Sequence, residues 1–235
     1  MNSTKKINVS IYCDEIKNAK LDNGPFGEKE NWDYIGVCII PTNNIKNLSI
    51  ELNNLRCGAG NKYTKCTSNC PYHYKNQIKI HYQEYDNTNN FQIANRWCDT
   101  ILNNYKPSNF YMHILGINLN KLDKSYFKDS DKETNVDENI YNRFFRTAIL
   151  YPLKKYFDEY DIIEIDAIYH DTGDMKYHKY FKYQPIRYIN FNDDKIVCNC
   201  NEITFLETNH LNCLEDNNTM LQFIDLFLGA NFNML

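Results

Sequence analysis

A chain of 235 residues is short enough for one hydrophobic core, since single cores stop growing somewhere above roughly 250 residues, and it is read as one domain, 1–235. Its 43% apolar and 14% aromatic residues can fill that core, and no long polar, Pro-rich stretch marks a disordered tail. The formal charge of −4 excludes a surface that is basic all over, and IGVCII at 35–40 and LFLGA after Asp225 fall far below the ~20 apolar residues of a membrane-spanning helix.

The opening residues MNSTKKINVSIYCDE hold no apolar run of seven, so a secretory signal is not expected, and the protein is read as soluble and cytoplasmic. Nine cysteines in a reducing compartment read as thiols or metal ligands, not as a disulfide framework. The first strand is predicted from Ile7, where Ile7, Val9, Ile11 and Cys13 share one face and Asn8, Ser10, Tyr12 and Asp14 the other, so that Asp14 ends the strand. Tyr34 to Ile40 is its natural antiparallel partner across a turn holding Gly24, Pro25 and Gly27.

A Cys-rich loop follows, a zinc-binding insertion at 52–76. Cys57, Cys66, Cys70 and His73 supply three thiolates and an imidazole, enough for one tetrahedral structural Zn²⁺, although the spacing is not that of a standard finger and ordinary reduced cysteines compete. From Leu52 to Gln83 there is no Asp or Glu, while Arg56, Lys62, Lys65, Lys75 and Lys79 are basic. Gln77 to Glu84 is the next predicted strand. Phe91, Ala94, Cys98, Ile101, Leu102 and Tyr105 then recur at helical spacing until Pro107.

Phe110 to Leu119 reads as a strand, and Asp137 to Asp158 as a long helix that Pro152 should kink. Ile162 to Tyr169 is a strand. The segment KYHKYFKYQPIRY, Lys176 to Tyr188, alternates cations with aromatics, a pattern suited to phosphate pairing beside base stacking and equally to a solvated amphipathic face. Cys198 and Cys200 share one strand face, Glu202 to Leu206 is another strand, and a helix from Thr219 to Asn231, capped near Asn218, closes the chain. Early strands close enough for hairpins and later ones separated by helices imply an α/β fold with a mixed sheet and helices packed on it.

Asp225, in MLQFIDLFLGA, belongs to the apolar stripe of that last helix, one turn after Leu221. An unpaired buried carboxylate costs several kcal/mol, so it is protonated, paired with a cation or coordinating a metal. Asp14 and Glu15 emerge from the apolar run VSIYC. In DIIEIDAIYHDTGD, Asp171 shares parity with Ile163, Ile165, Ala167 and Tyr169 and sits at the strand end, with His170 beside it as ligand or proton carrier; Asp166 is the alternative on the opposite face. Three carboxylates from different elements make an oxygen-rich site for Mg²⁺ or Mn²⁺. Two such ions about 4 Å apart activate a water and stabilise the leaving oxygen of a phosphodiester.

Tyr12, Asp14 and Glu15 at the start, and Leu221, Gln222, Asp225, Leu226 and Gly229 at the end, resemble the domain of unknown function 3800 family, whose members open with a strand ending Asp-Glu-Ser-Gly and close with Leu-Gln-x-Ala-Asp-Leu-x-x-Gly. The resemblance spans almost the whole chain. It implies a ribonuclease H-like fold and a metal-dependent nuclease acting on RNA or DNA, with Asp14, Asp171 and Asp225 holding metal and Glu15 and His81 in supporting roles. Ile16 and Lys17 stand where the family has Ser-Gly, Ile224 where alanine is usual, and Lys79-Ile80-His81 puts a lysine at the acid of a Glu-x-His motif, with Glu84 three residues beyond His81. Those departures suit the competing reading, a catalytically inactive ribonuclease H-like module that binds nucleic acid.

Overall fold

The computed structural model describes residues 4–21, 29–56, 78–82, 88–104, 109–128 and 135–232. At its centre β1 (Lys6–Leu21) pairs antiparallel with β2 (Glu30–Pro41) on one side and parallel with β4 (Ile162–Asp171) on the other. β3 (Tyr111–Asn118) extends the sheet antiparallel beyond β2, while β5 (Ile196–Cys198) and β6 (Thr204–Leu206) both pair parallel with β4. The order is β3-β2-β1-β4-β5, with β6 also on β4.

Both faces of this sheet are covered, which explains why IGVCII is an unbroken apolar run instead of an alternating one. Val9, Ile11, Cys13, Ile35, Val37 and Ile39 pack against α3 (Val136–Tyr156) and α4 (Gln184–Asn192). Tyr12, Cys38 and Ile40 face the other way, into α1 (Ile45–Asn54), α2 (Thr88–Asn104) and α5 (Asp216–Phe232). Gly36, opposite Asp14 on β2, lets α5 lie close, because a Cβ there would stand 3.3 Å from Ile224 and Leu228. The mixed sheet with helices on both faces is the α/β architecture expected from the sequence.

Several expectations are corrected. β1 does not end at Asp14 but continues to Leu21. Residues 78–82 form no strand, because their backbone donors are taken by side chains of α5: the Ile80 N–H donates to Gln222 Oε1 at 2.8 Å and the Tyr82 N–H to Asp225 Oδ2 at 2.9 Å. α1 was hidden by its buried polar residues Ser49 and Asn53, which blur the apolar period. α4 lies in the second basic segment, where Pro185 sits in the first turn and suits its preset φ. Cys198 closes β5 and Cys200 lies past it, so the two share no strand. α5 starts at Asp216, and the Asn218 side-chain Oδ1 accepts from the Thr208 hydroxyl at 3.0 Å. α3 holds Pro152 buried within its length.

The register between β1 and β4 slips once, from Val9 opposite Ile165 to Ser10 opposite Ala167, leaving Asp166 as the extra residue. That bulge inverts the parity expected along β4. Ile163, Ile165 and Ile168 point toward α3, while Tyr169 turns to the α5 face and stacks on Tyr12 at 5.1 Å. Asp14 and Asp171 each follow two residues after this stacked pair on adjacent parallel strands, so both carboxylates emerge on the α5 face.

Candidate active site

Asp14 and Asp225 are both buried, one from the sheet and one from the helix laid across it, and their carboxyl groups share a hydrogen bond. Burial, then the charges of Asp225 and Asp171, push the Asp14 carboxyl well above the usual carboxylate range. Burial also raises Asp225, opposed by His81, by the Asp14 hydrogen bond and by the Tyr82 N–H. His81 Nε2 lies 3.7 Å from Asp225 Oδ1. Asp171 is raised by burial against the pull of Lys79, of the Thr172 N–H at 2.9 Å and of His170. Lys79, His81, Asp171 and Asp225 line one shallow cleft together with Thr208 and Gln222.

The terminal sequence motif explains how Lys79 and His81 arrive there. Gln222 accepts from the Ile80 N–H and, at 3.0 Å, from the buried guanidinium of Arg56, which also donates to the Ile78 carbonyl at 2.6 Å and lies 4.7 Å from the Trp97 ring. Gly229 leaves room for Tyr82, since a Cβ there would stand 2.1 Å from the tyrosine ring. Gln222, Asp225 and Gly229, three and four residues apart on one helix face, thus grip residues 78–82. Gly229→Ala is expected to gain about 1 kcal/mol of helix propensity and lose about 3 kcal/mol to the clash. A thermal melt should fall by several degrees; an unchanged melt would mean that Tyr82 does not rest on α5.

Glu15 and His170 point to the other side of the sheet. His170 Nε2 stands 2.9 Å from Glu15 Oε2, the Tyr141 hydroxyl donates to the same oxygen at 2.9 Å, and Lys17 Nζ lies 3.2 Å from Oε1. Burial alone would raise the Glu15 carboxyl, but His170, Lys17 and Tyr141 outweigh it and bring it down to about 2. Burial lowers the fully enclosed His170, and Glu15 more than reverses this, so the imidazole is raised and charged. Its Nδ1 donates to the Asp171 carbonyl at 2.7 Å. His170 is therefore not a ligand or proton carrier among the acids, as expected from its position, but a buried cation that fixes the backbone beneath Asp171. Glu15 is its counter-ion.

Of the predicted site residues, the structure brings Asp14, Asp171, Asp225 and His81 together and sets Glu15 apart. Asp166, the alternative to Asp171, is engaged elsewhere, accepting from Asn8 at 2.8 Å, Thr42 at 2.7 Å and Asn199 at 3.3 Å. Cys57, Cys66, Cys70, His73 and Glu84 lie outside the described residues. Arg56, Tyr82 and Tyr141 were missed; only Gln222, through the terminal motif, carried a signal. The donors at the acids are all oxygens that repel one another, a set suited to Mg²⁺ or Mn²⁺. Among the described residues no three His, Cys, Asp or Glu side chains stand at metal-ligating spacing.

Lys176 to Tyr188 divides its aromatics: Phe181 is core and Tyr177 is 79% exposed, while Lys182 pairs with Glu202 at 2.9 Å. Among the described residues no helix is long and apolar enough to cross a membrane.

No family model and no curated protein matches the chain. Among solved structures, it is similar to a chain of the one described as "Structure of the PCNA:RNase HII complex from Archaeoglobus fulgidus", with 8% identity and a TM-score of 0.39, over 97% of this chain and 73% of that one.

Proposed function

We propose that this chain is a metal-dependent nuclease that hydrolyses phosphodiester bonds of RNA or DNA by a two-metal mechanism, as its resemblance to the domain of unknown function 3800 family implies. The observation that carries this reading is the buried Asp14–Asp225 pair, joined on the same sheet face by Asp171. Two carboxyl groups forced to share a proton bind a cation more readily than isolated ones, because the cation relieves their repulsion. Asp14, Asp171 and Asp225 would hold Mg²⁺ or Mn²⁺, which when bound supplies the charge that activates water and balances the leaving oxygen. His81, on the cleft rim beside Asp225, is placed to carry a proton there. Asp171→Asn is expected to lower cleavage of labelled RNA or DNA by orders of magnitude and Asp166→Asn to leave it intact; the reverse outcome would move the site.

One observation favours the inactive-module reading. Lys79 stands at the position of the family's acid and offsets the charge of Asp171. An ammonium there supplies part of the charge that a divalent ion would bring, and in that case Lys79→Glu should strengthen Mn²⁺ binding measured by calorimetry. The structural zinc is a separate proposal. The purified protein should carry about one zinc per chain by elemental analysis, and Cys66→Ser and Cys70→Ser should each lower it; unchanged stoichiometry would retire the idea.

A further inference from the structure

Away from the acids, Lys128, Arg143 and Arg146 surround an open cleft that is bounded by the outer face of α3, residues 126–128 and the start of α4, and among the described residues no Asp or Glu lines it. Arg143 and Arg146 are three residues apart on α3 and so share a face. Each guanidinium rests on an aromatic ring: Arg146 lies 4.2 Å from the ring centre of Tyr188 and Arg143 5.6 Å from that of Phe127. Stacking fixes the plane of a guanidinium but leaves its forked N–H edge unspent, and that edge matches phosphate oxygens. Arg146 Nε is buried without a hydrogen-bond partner, and Gln184 from α4 adds a polar group to the same wall.

Three cations held side by side repel one another, and among the described residues no acid lines the cleft to offset them. We propose that this cleft binds a phosphate group, one belonging to a nucleic-acid strand. The strand as its source rests on the nuclease reading above; the phosphate chemistry does not.

The test measures binding in EDTA, so that no cleavage intervenes. Labelled single-stranded and duplex oligonucleotides are titrated by fluorescence anisotropy over a salt series, and inorganic phosphate by calorimetry, with wild-type protein, Arg143→Gln, Arg146→Gln and the double variant. The double variant should bind oligonucleotide at least 10-fold more weakly, with the salt dependence reduced by about one to two phosphate contacts, and should also lose inorganic phosphate. Thermal melts check folding, and Lys128→Gln, at an exposed position, should show a smaller loss in the same direction. Unchanged oligonucleotide affinity and salt slope in the double variant overturn the proposal, as does wild-type protein that binds neither ligand. Loss of inorganic phosphate alone would make the cleft a free-phosphate site and overturn the strand assignment. Arginine-dependent binding by a protein that cleaves nothing would leave the cleft standing and remove the nuclease reading.

Discussion

Asp225→Asn is expected to lower metal-dependent cleavage by orders of magnitude while leaving the apoprotein at least as stable as wild type. The asparagine keeps an oxygen for the Tyr82 N–H and presents an amide to Asp14, so the pair no longer needs a shared proton. The pH dependence carries the sign. Asp14 has its folded pKa raised above the ordinary value of about 3.9, so the stability it contributes is present below that value and is lost as pH rises through the raised one. Wild-type melts in EDTA should therefore fall with rising pH over that range, and the variant should fall less. If Asp225 instead served only as the partner of His81, its removal would strand a buried charge and lower the melting temperature at every metal concentration. A destabilised variant that still cleaves would remove Asp225 from the site.

Glu15→Gln is expected to be the most destabilising single change, by about 3–5 kcal/mol, because it leaves the His170 imidazolium buried without its counter-ion. For a chain of this size that is roughly 6–20 °C in a thermal melt. Glu15 is depressed to about 2, so its contribution is present above about 4.3 and lost as pH falls toward 2. His170 is raised, so its contribution is present below about 6.5 and lost as pH rises through its folded value. The pair is at full strength between those limits, and there the difference between variant and wild type should be largest. At higher pH His170 can shed its proton in the variant and the difference should narrow. Equal melts near pH 5.5 would show that the pair contributes nothing.

Asp225 stood out in the sequence because a carboxylate inside the apolar stripe of a helix has few chemical explanations, and Asp14 because it follows the apolar run VSIYC. Asp171 does stand at the end of β4, but the face assigned to it relative to Ile163 and Ile165 was not readable, since the bulge at Asp166 depends on how β1 and β4 pair and not on β4 alone. Glu15 and His170 were placed with the acids because they adjoin them in sequence. One-residue alternation sends both to the opposite face, and the Tyr141 hydroxyl that joins them comes from α3. Ile78, Ile80 and Tyr82 alternate like a strand, yet their backbone meets the side chains of Gln222 and Asp225, a long-range partnership that no local pattern reports.

The central claim is that Asp14, Asp171 and Asp225 form a site at which nucleic acid is cleaved with a divalent cation. Labelled single-stranded and duplex RNA and DNA incubated with wild-type protein and with Asp14→Asn, each in Mn²⁺ and in EDTA, test it most directly. The account predicts cleavage of at least one substrate by wild-type protein in Mn²⁺, none in EDTA, and a loss of orders of magnitude in the variant. Cleavage that persists in EDTA or in a folded Asp14→Asn protein, or four intact substrates in the presence of bound Mn²⁺, would contradict it.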